Sequence, residues 1–208
     1  MATRRAVLAA ALAAALPLGA RAGTAFEAEL LKPGPLEDIW LGPANAPVTV
    51  IEYASLTCSH CGHFHRGAGK ELRARYIDKG LARLALRPFP LDPLSTVAFM
   101  MALSEPARYY EIVDLLFETQ DHWAYVADPL PVLRETLAKA DFTQESFERV
   151  LRDQELLVRV NDTRERGAEV FKVEATPTFF INGQHRQGAI SIDEFEEIIR
   201  PILGTRTL

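Results

Sequence analysis

The chain has 208 residues, 48% hydrophobic and 25% charged, which suits one packed domain, with or without an insertion, and is too apolar for a disordered polypeptide. With 23 basic against 28 acidic side chains, a formal net charge of −5, it lacks the basic excess that nucleic-acid binding needs. Two cysteines exclude a disulfide-rich scaffold.

Residues 1–22 read as an export signal. A basic start (Arg4, Arg5) precedes an apolar run from Ala6 to Leu16, and Ala20-Arg21-Ala22 fits a cleavage site before Gly23. The run is shorter than the ~20 residues of a membrane span. Thr3-Arg4-Arg5 also resembles a twin-arginine signal, so the export route stays open between the two pathways. Cleavage removes Arg4, Arg5 and Arg21 and no acid, taking the net charge from −5 to −8. The expectation is an exported, acidic protein of the bacterial periplasm.

Residues 23–35 read as a loose lead-in, and Leu36–Leu41 as a short first strand. Gly42 to Pro47 is turn material, and Val48–Tyr53, apolar and β-branched, is a buried strand. A helix is predicted from Cys58 to about Lys79, stopped by Gly80, followed by a strand over Leu81–Pro88. Residues 91–171 carry helical spacing only. Asp92 caps the first helix with Pro93 in its first turn, Pro106, Pro129 and Pro131 divide the segment, and Thr143 is a further cap. Four or five helices are predicted, the last from Gln154 to Phe171. Thr178–Ile181 and Gln184–Gln187 flank Asn182-Gly183, a strong hairpin signal, and Ser191-Ile192-Asp193-Glu194 is a capping box opening a helix to about Ile202. This order gives an α/β fold, a central sheet covered by helices, with an inserted all-helical subdomain in one crossover.

The chemistry is concentrated in Cys58-Ser59-His60-Cys61, placed between a buried strand and a helix. Helical spacing puts both sulfurs on one face. The first cysteine meets the unpaired N–H groups and the dipole of the helix start, which favour a thiolate. His60, if protonated, adds to this. A stabilised thiolate makes Cys58 a nucleophile and the pair an oxidising disulfide, with Cys61 as resolving thiol. A different class of function is a copper-binding carrier using Cys58, Cys61 and His65, with His63 nearby.

The run Val50 to Cys61 resembles the active-site segment of DsbA-like thiol–disulfide oxidoreductases, which have a thioredoxin fold with a helical insertion. Ala175-Thr176-Pro177-Thr178-Phe179-Phe180-Ile181-Asn182-Gly183 is similar to the second signature of that family, a cis-proline before a strand. The resemblance implies a thioredoxin-like domain over residues 23–90 and 172–208, with residues 91–171 as the insertion. It implies that Cys58 exchanges with substrate and Cys61 resolves. Pro177 would be cis and lie against the disulfide, with the Thr176 backbone open to an extended substrate. Glu52 matches the family's buried acid, a candidate proton shuttle for Cys61. Ser59 stands where proline is common, and Thr176 where some oxidases have valine.

The expected function is introduction of disulfides into unfolded or partly folded exported proteins by a monomer. A DsbB-like membrane partner would reoxidise it, and no organic cofactor, metal or nucleic acid is implied. A periplasmic reductase or isomerase is the enzymatic alternative. Phe99, Met100, Met101, Phe117 and Trp123 read as core.

Overall fold

The computed structural model describes residues 25–204. The export signal read over residues 1–22 lies outside them. Five strands form one sheet: β1 (Trp40–Leu41), β2 (Val48–Ala54), β3 (Ala82–Pro88), β4 (Thr178–Ile181) and β5 (Gln184–Gln187). Their order is β1-β3-β2-β4-β5, with β2 and β3 parallel and every other pair antiparallel. The apolar β2 is central, as its composition requires, and pairs Glu52 with Leu86 on one side and Phe179 on the other. The β4–β5 turn places Asn182 at φ 43° and Gly183 at φ 78°. A type I′ turn needs both angles positive, which explains the Asn-Gly pair.

Helix α1 (Ser59–Arg66), helix α2 (Ala68–Leu72) and a π-helical turn (Arg73–Ile77) connect β2 to β3. The single helix expected over Cys58–Lys79 is therefore broken. Gly67 sits at φ −113° and ψ −106°, outside the helical region, and its N–H closes α1 on His63 and Phe64 carbonyls. Glycine carries the lowest helix propensity apart from proline, so Gly67-Ala68-Gly69 is a weak point in the predicted helix.

Between β3 and β4 lie α3 (Pro93–Leu103), a 3-10 turn (Pro106–Arg108), α4 (Tyr109–Glu118), α5 (Gln120–Trp123), α6 (Pro129–Ala138), α7 (Gln144–Leu151) and α8 (Gln154–Glu169). This is one helix more than the upper expectation, because the four residues of α5 carry no start or stop signal of their own. Pro129 and Pro131 fall in the first turn of α6, where missing N–H groups cost nothing. The caps read at Asp92 and Thr143 are formed, by acceptance from Ser95 N–H and Ser146 N–H. Helix α9 (Ile192–Leu203) opens on the Ser191–Glu194 capping box.

The sheet separates two apolar layers. Val48, Val50, Phe179 and Ile181 face Phe64, Leu72 and Tyr76, together with Phe195 and Ile199 of α9. Ile51, Tyr53 and Phe180 face Phe89, Phe171 and Val173. A third cluster inside the helical block contains Phe99, Met100, Met101, Phe117 and Trp123 and reaches Ala54, Leu56 and Cys61 at the end of β2.

The lead-in, expected to be loose, is tied down. Residues 25–30 are helical, Leu30 is buried, and the Phe26 ring meets Phe180 and Phe171 at centroid distances of 5.7 and 6.0 Å. The expected strand over Leu36–Leu41 reduces to two residues. Buried Arg87 of β3 supplies the anchor. It donates to both Asp38 carboxylate oxygens at 2.7 Å, to the Leu30 carbonyl at 2.7 Å and to the Tyr53 hydroxyl at 3.0 Å. Removing the carboxylate leaves an enclosed guanidinium without a counter-charge. Asp38→Ala should lower unfolding free energy by about 3–5 kcal/mol in denaturant titration, far beyond a surface pair.

Candidate functional site

The site forms where β2 ends. Ser55 and Leu56 are held by the start of α3: the Ser95 hydroxyl accepts from the Ser55 hydroxyl and from the Leu56 N–H, both at 2.9 Å. Thr57 Oγ1 donates to Asp92, the cap of α3. The following carbonyls are then taken one by one. Gln120 Nε2 donates to the carbonyls of Leu56 and Cys58 at 2.8 and 2.9 Å, and the Tyr125 hydroxyl donates to that of Thr57 at 3.1 Å. The helical block thus fixes the loop by its acceptors and leaves the N–H groups of α1 directed at the Cys58 side chain. Close packing reinforces this, since a Cβ at Gly62 would lie 2.2 Å from Gln120 Oε1.

Cys58 occupies the N-cap of α1 with extended backbone angles (φ −77°, ψ 121°). Both cysteines are free, so the geometry is that of the dithiol form. The Cys58 thiol is lowered from 9.0 to about 5. The largest cause is the hydrogen bond from Cys61, helped by the Thr176 side chain and the backbone N–H groups of Cys61 and His60 against a desolvation cost. In the neutral thiol, Cys58 Sγ donates to the Thr176 carbonyl at 3.3 Å. The Thr176 hydroxyl is buried without a partner there, free to donate once the sulfur ionises. The Thr176–Pro177 peptide bond is cis.

Cys61 is the opposite case. It is fully enclosed, and burial, its bond to Cys58 and the charge of Glu52 push its thiol well above 9.0. One helical turn therefore separates a sulfur stabilised as an anion from one kept neutral. Glu52 lies inward on β2 with no exposure, and both its oxygens contact His65 Nε2, at 3.0 and 3.1 Å. The His65 ring stacks on Phe117 at 4.2 Å.

Of the residues singled out from sequence, Cys58, Cys61, Glu52, Thr176 and Pro177 come together here. The His60 side chain is exposed, and the backbone N–H of residue 60 is among the groups that lower the Cys58 thiol. The copper set of Cys58, Cys61 and His65 does not assemble. His65 is turned onto Glu52, Cys61 is sealed, and among the described residues no cluster of three histidine, cysteine or carboxylate side chains is arranged for a metal ion. Sequence reasoning missed Gln120, Tyr125, Ser95 and the His65–Glu52 contact. Leu91 and Tyr125, about half exposed, border the loop through the Leu91 N–H on Ser55 Oγ and the Tyr125 hydroxyl on Thr57.

Comparison with known proteins agrees with this geometry. Wolbachia pipientis alpha-DsbA1 superposes with a TM-score of 0.77 at 29% identity, covering 85% of this chain and 96% of that one. A Rickettsia prowazekii protein named as a candidate protein-disulfide oxidoreductase is 25% identical over 172 residues, 82% of this chain and 63% of its own length. The chain thus spans under two thirds of that relative. A Na(+)/H(+) antiporter, NhaA 3 of Salinispora tropica, is 32% identical over 172 residues, 80% of this chain and only 25% of the antiporter. The thioredoxin family profile matches residues 36–200, most of the sequence. With a sheet of this order, a paired-thiol helix start and that match, the chain belongs to the thioredoxin family and is DsbA-like within it.

Proposed function

We propose that this protein is a thiol–disulfide oxidoreductase of DsbA type that introduces disulfides into exported proteins. The observation that carries the reading is the asymmetry of the two thiols, Cys58 lowered to about 5 and Cys61 raised well above 9.0. A stabilised Cys58 thiolate favours the dithiol over the disulfide, and so makes the Cys58–Cys61 disulfide a strong oxidant. That supports the oxidase over the reductase or isomerase.

In this reading a substrate thiolate attacks the Cys58 sulfur of the disulfide. The S–S bond breaks, its electron pair leaves on Cys61, and Cys61 takes up a proton. A second substrate thiolate then attacks the substrate sulfur of the mixed disulfide and expels Cys58 as a thiolate. Two electrons have passed from the substrate dithiol to the enzyme. The thiolate needs no proton to leave, which favours release. Thr176 and Pro177 border the sulfur and serve as the substrate contact, the Thr176 N–H having no backbone partner among the described residues. Leu91 and Tyr125 offer apolar surface beside the loop, suited to unfolded clients. Residues 91–171 act as an inserted helical subdomain that braces the site. The protein works as a periplasmic monomer, delivered by the segment over residues 1–22, and a DsbB-like membrane partner returns it to the disulfide.

Purified protein in the disulfide form should oxidise a reduced, unfolded cysteine protein in stoichiometric amount, and Cys58→Ser should not. Equal oxidation by the variant would overturn the assignment.

The thiolate also ties stability to pH. A thiol whose pKa is lower in the folded chain than in the unfolded one stabilises the folded dithiol fully above the unfolded value, near 9.0. That contribution is lost as pH falls through about 5. The melting-temperature advantage of the reduced over the oxidised protein should therefore shrink steadily from pH 9 to pH 5. Thr176→Val removes a donor to the anion and should raise the Cys58 pKa above about 5, read from the pH dependence of its alkylation rate.

A further inference from the structure

Cys61 and Glu52 are both sealed from solvent. Resting on the exchange reading above, Cys61 must nevertheless gain a proton when the disulfide opens and lose one when it closes. Besides Cys58, its partner in the exchange, Glu52 is the ionisable neighbour whose charge reaches Cys61, but with no exposure it cannot itself trade protons with water. Its hydrogen-bond partner among the described residues is His65.

His65 spans the gap. Nε2 faces both Glu52 oxygens at 3.0 and 3.1 Å. Nδ1 makes no hydrogen bond to the described residues and is not among their enclosed polar atoms. The side chain is 11% exposed and lines an open cavity of about 190 Å³ between α1, α2 and α4. Stacking on Phe117 and edge contact with Phe64 at 5.4 Å hold the ring in place. One nitrogen is thus held on the carboxylate, and the other is left without a partner among the described residues, on a ring that lines the cavity.

We propose that His65 is the proton relay between Glu52 and the solvent of this cavity, and through Glu52 serves Cys61. When the disulfide opens, His65 passes its Nε2 proton to a Glu52 oxygen, Glu52 passes a proton on to the Cys61 thiolate, and Nδ1 takes a replacement from cavity water. When the disulfide closes, the Cys61 proton travels the same atoms outward. Glu52 ends each passage in the state in which it began, and Cys61 is left with no charge when the disulfide opens. The other charged and titratable groups facing His65 are engaged elsewhere or neutral. From α4, Asp114 pairs with Arg73 at 2.9 Å and Glu118 with Lys70 of α2 at 2.7 Å, and burial keeps the Tyr110 hydroxyl protonated.

The test uses reduced full-length protein mixed with oxidised glutathione. Formation of the Cys58–glutathione mixed disulfide depends on the Cys58 thiolate, while its closure depends on deprotonating Cys61. The two phases separate by quenched mass analysis. His65→Gln keeps a donor to Glu52 but cannot pass protons. It should leave the first phase unchanged and slow the second by roughly 100-fold, the lower end of what positioned acid–base groups contribute. His65→Ala should show the same defect and regain the rate with added imidazole, for which the cavity has room. A wild-type closure rate in His65→Gln, or a defect in His65→Ala that imidazole does not relieve, overturns the relay. If His65→Ala does not fold, the His65→Gln rates decide alone. Absence of the first phase in the unaltered protein would instead overturn the exchange reading.

Discussion

The site depends on where three carbonyl groups point. Leu56, Thr57 and Cys58 leave β2 with acceptors that would otherwise compete for the first N–H groups of α1, and Gln120 and Tyr125 bind all three from the helical block. The N–H groups of His60 and Cys61 then join the Cys61 thiol, the larger contributor, in stabilising charge on the Cys58 sulfur. The central strand supplies position, and the helices between β3 and β4 supply orientation.

The same packing produces the second thiol's opposite character. Cys61 lies one turn inward against the inner cluster of the helical block, where desolvation penalises a charge that the helix start would stabilise. Glu52 sharpens the difference because its own charge disfavours a thiolate on Cys61. A carboxylate on an apolar central strand needs a partner, and His65 provides it.

Much of this was legible in the sequence because its signals are local. The β-branched run of β2, the Asn182-Gly183 turn and the Ser191 and Thr143 caps each carry their cause within a few residues, and each forms. The paired cysteines and the Thr-Pro dipeptide were likewise readable, and the fold brings them together across 118 residues. What could not be read depends on contacts with no local trace. Gln120 reaches the loop across 62 and 64 residues. The lead-in is ordered by Arg87, far along the chain. His65 was an intermediate case. Its spacing from Cys58 placed it on the right helix face, but the pairing with Glu52 depends on the orientation of α1 over the sheet.

The two borders of the sheet differ in kind and agree in effect. On one side β1 is only two residues long, and on the other every residue of β5, Gln184-His185-Arg186-Gln187, is polar and exposed. Short or hydrophilic rims give an incoming unfolded polypeptide little to zip onto. The sheet is thereby kept from being lengthened by a strand of another chain.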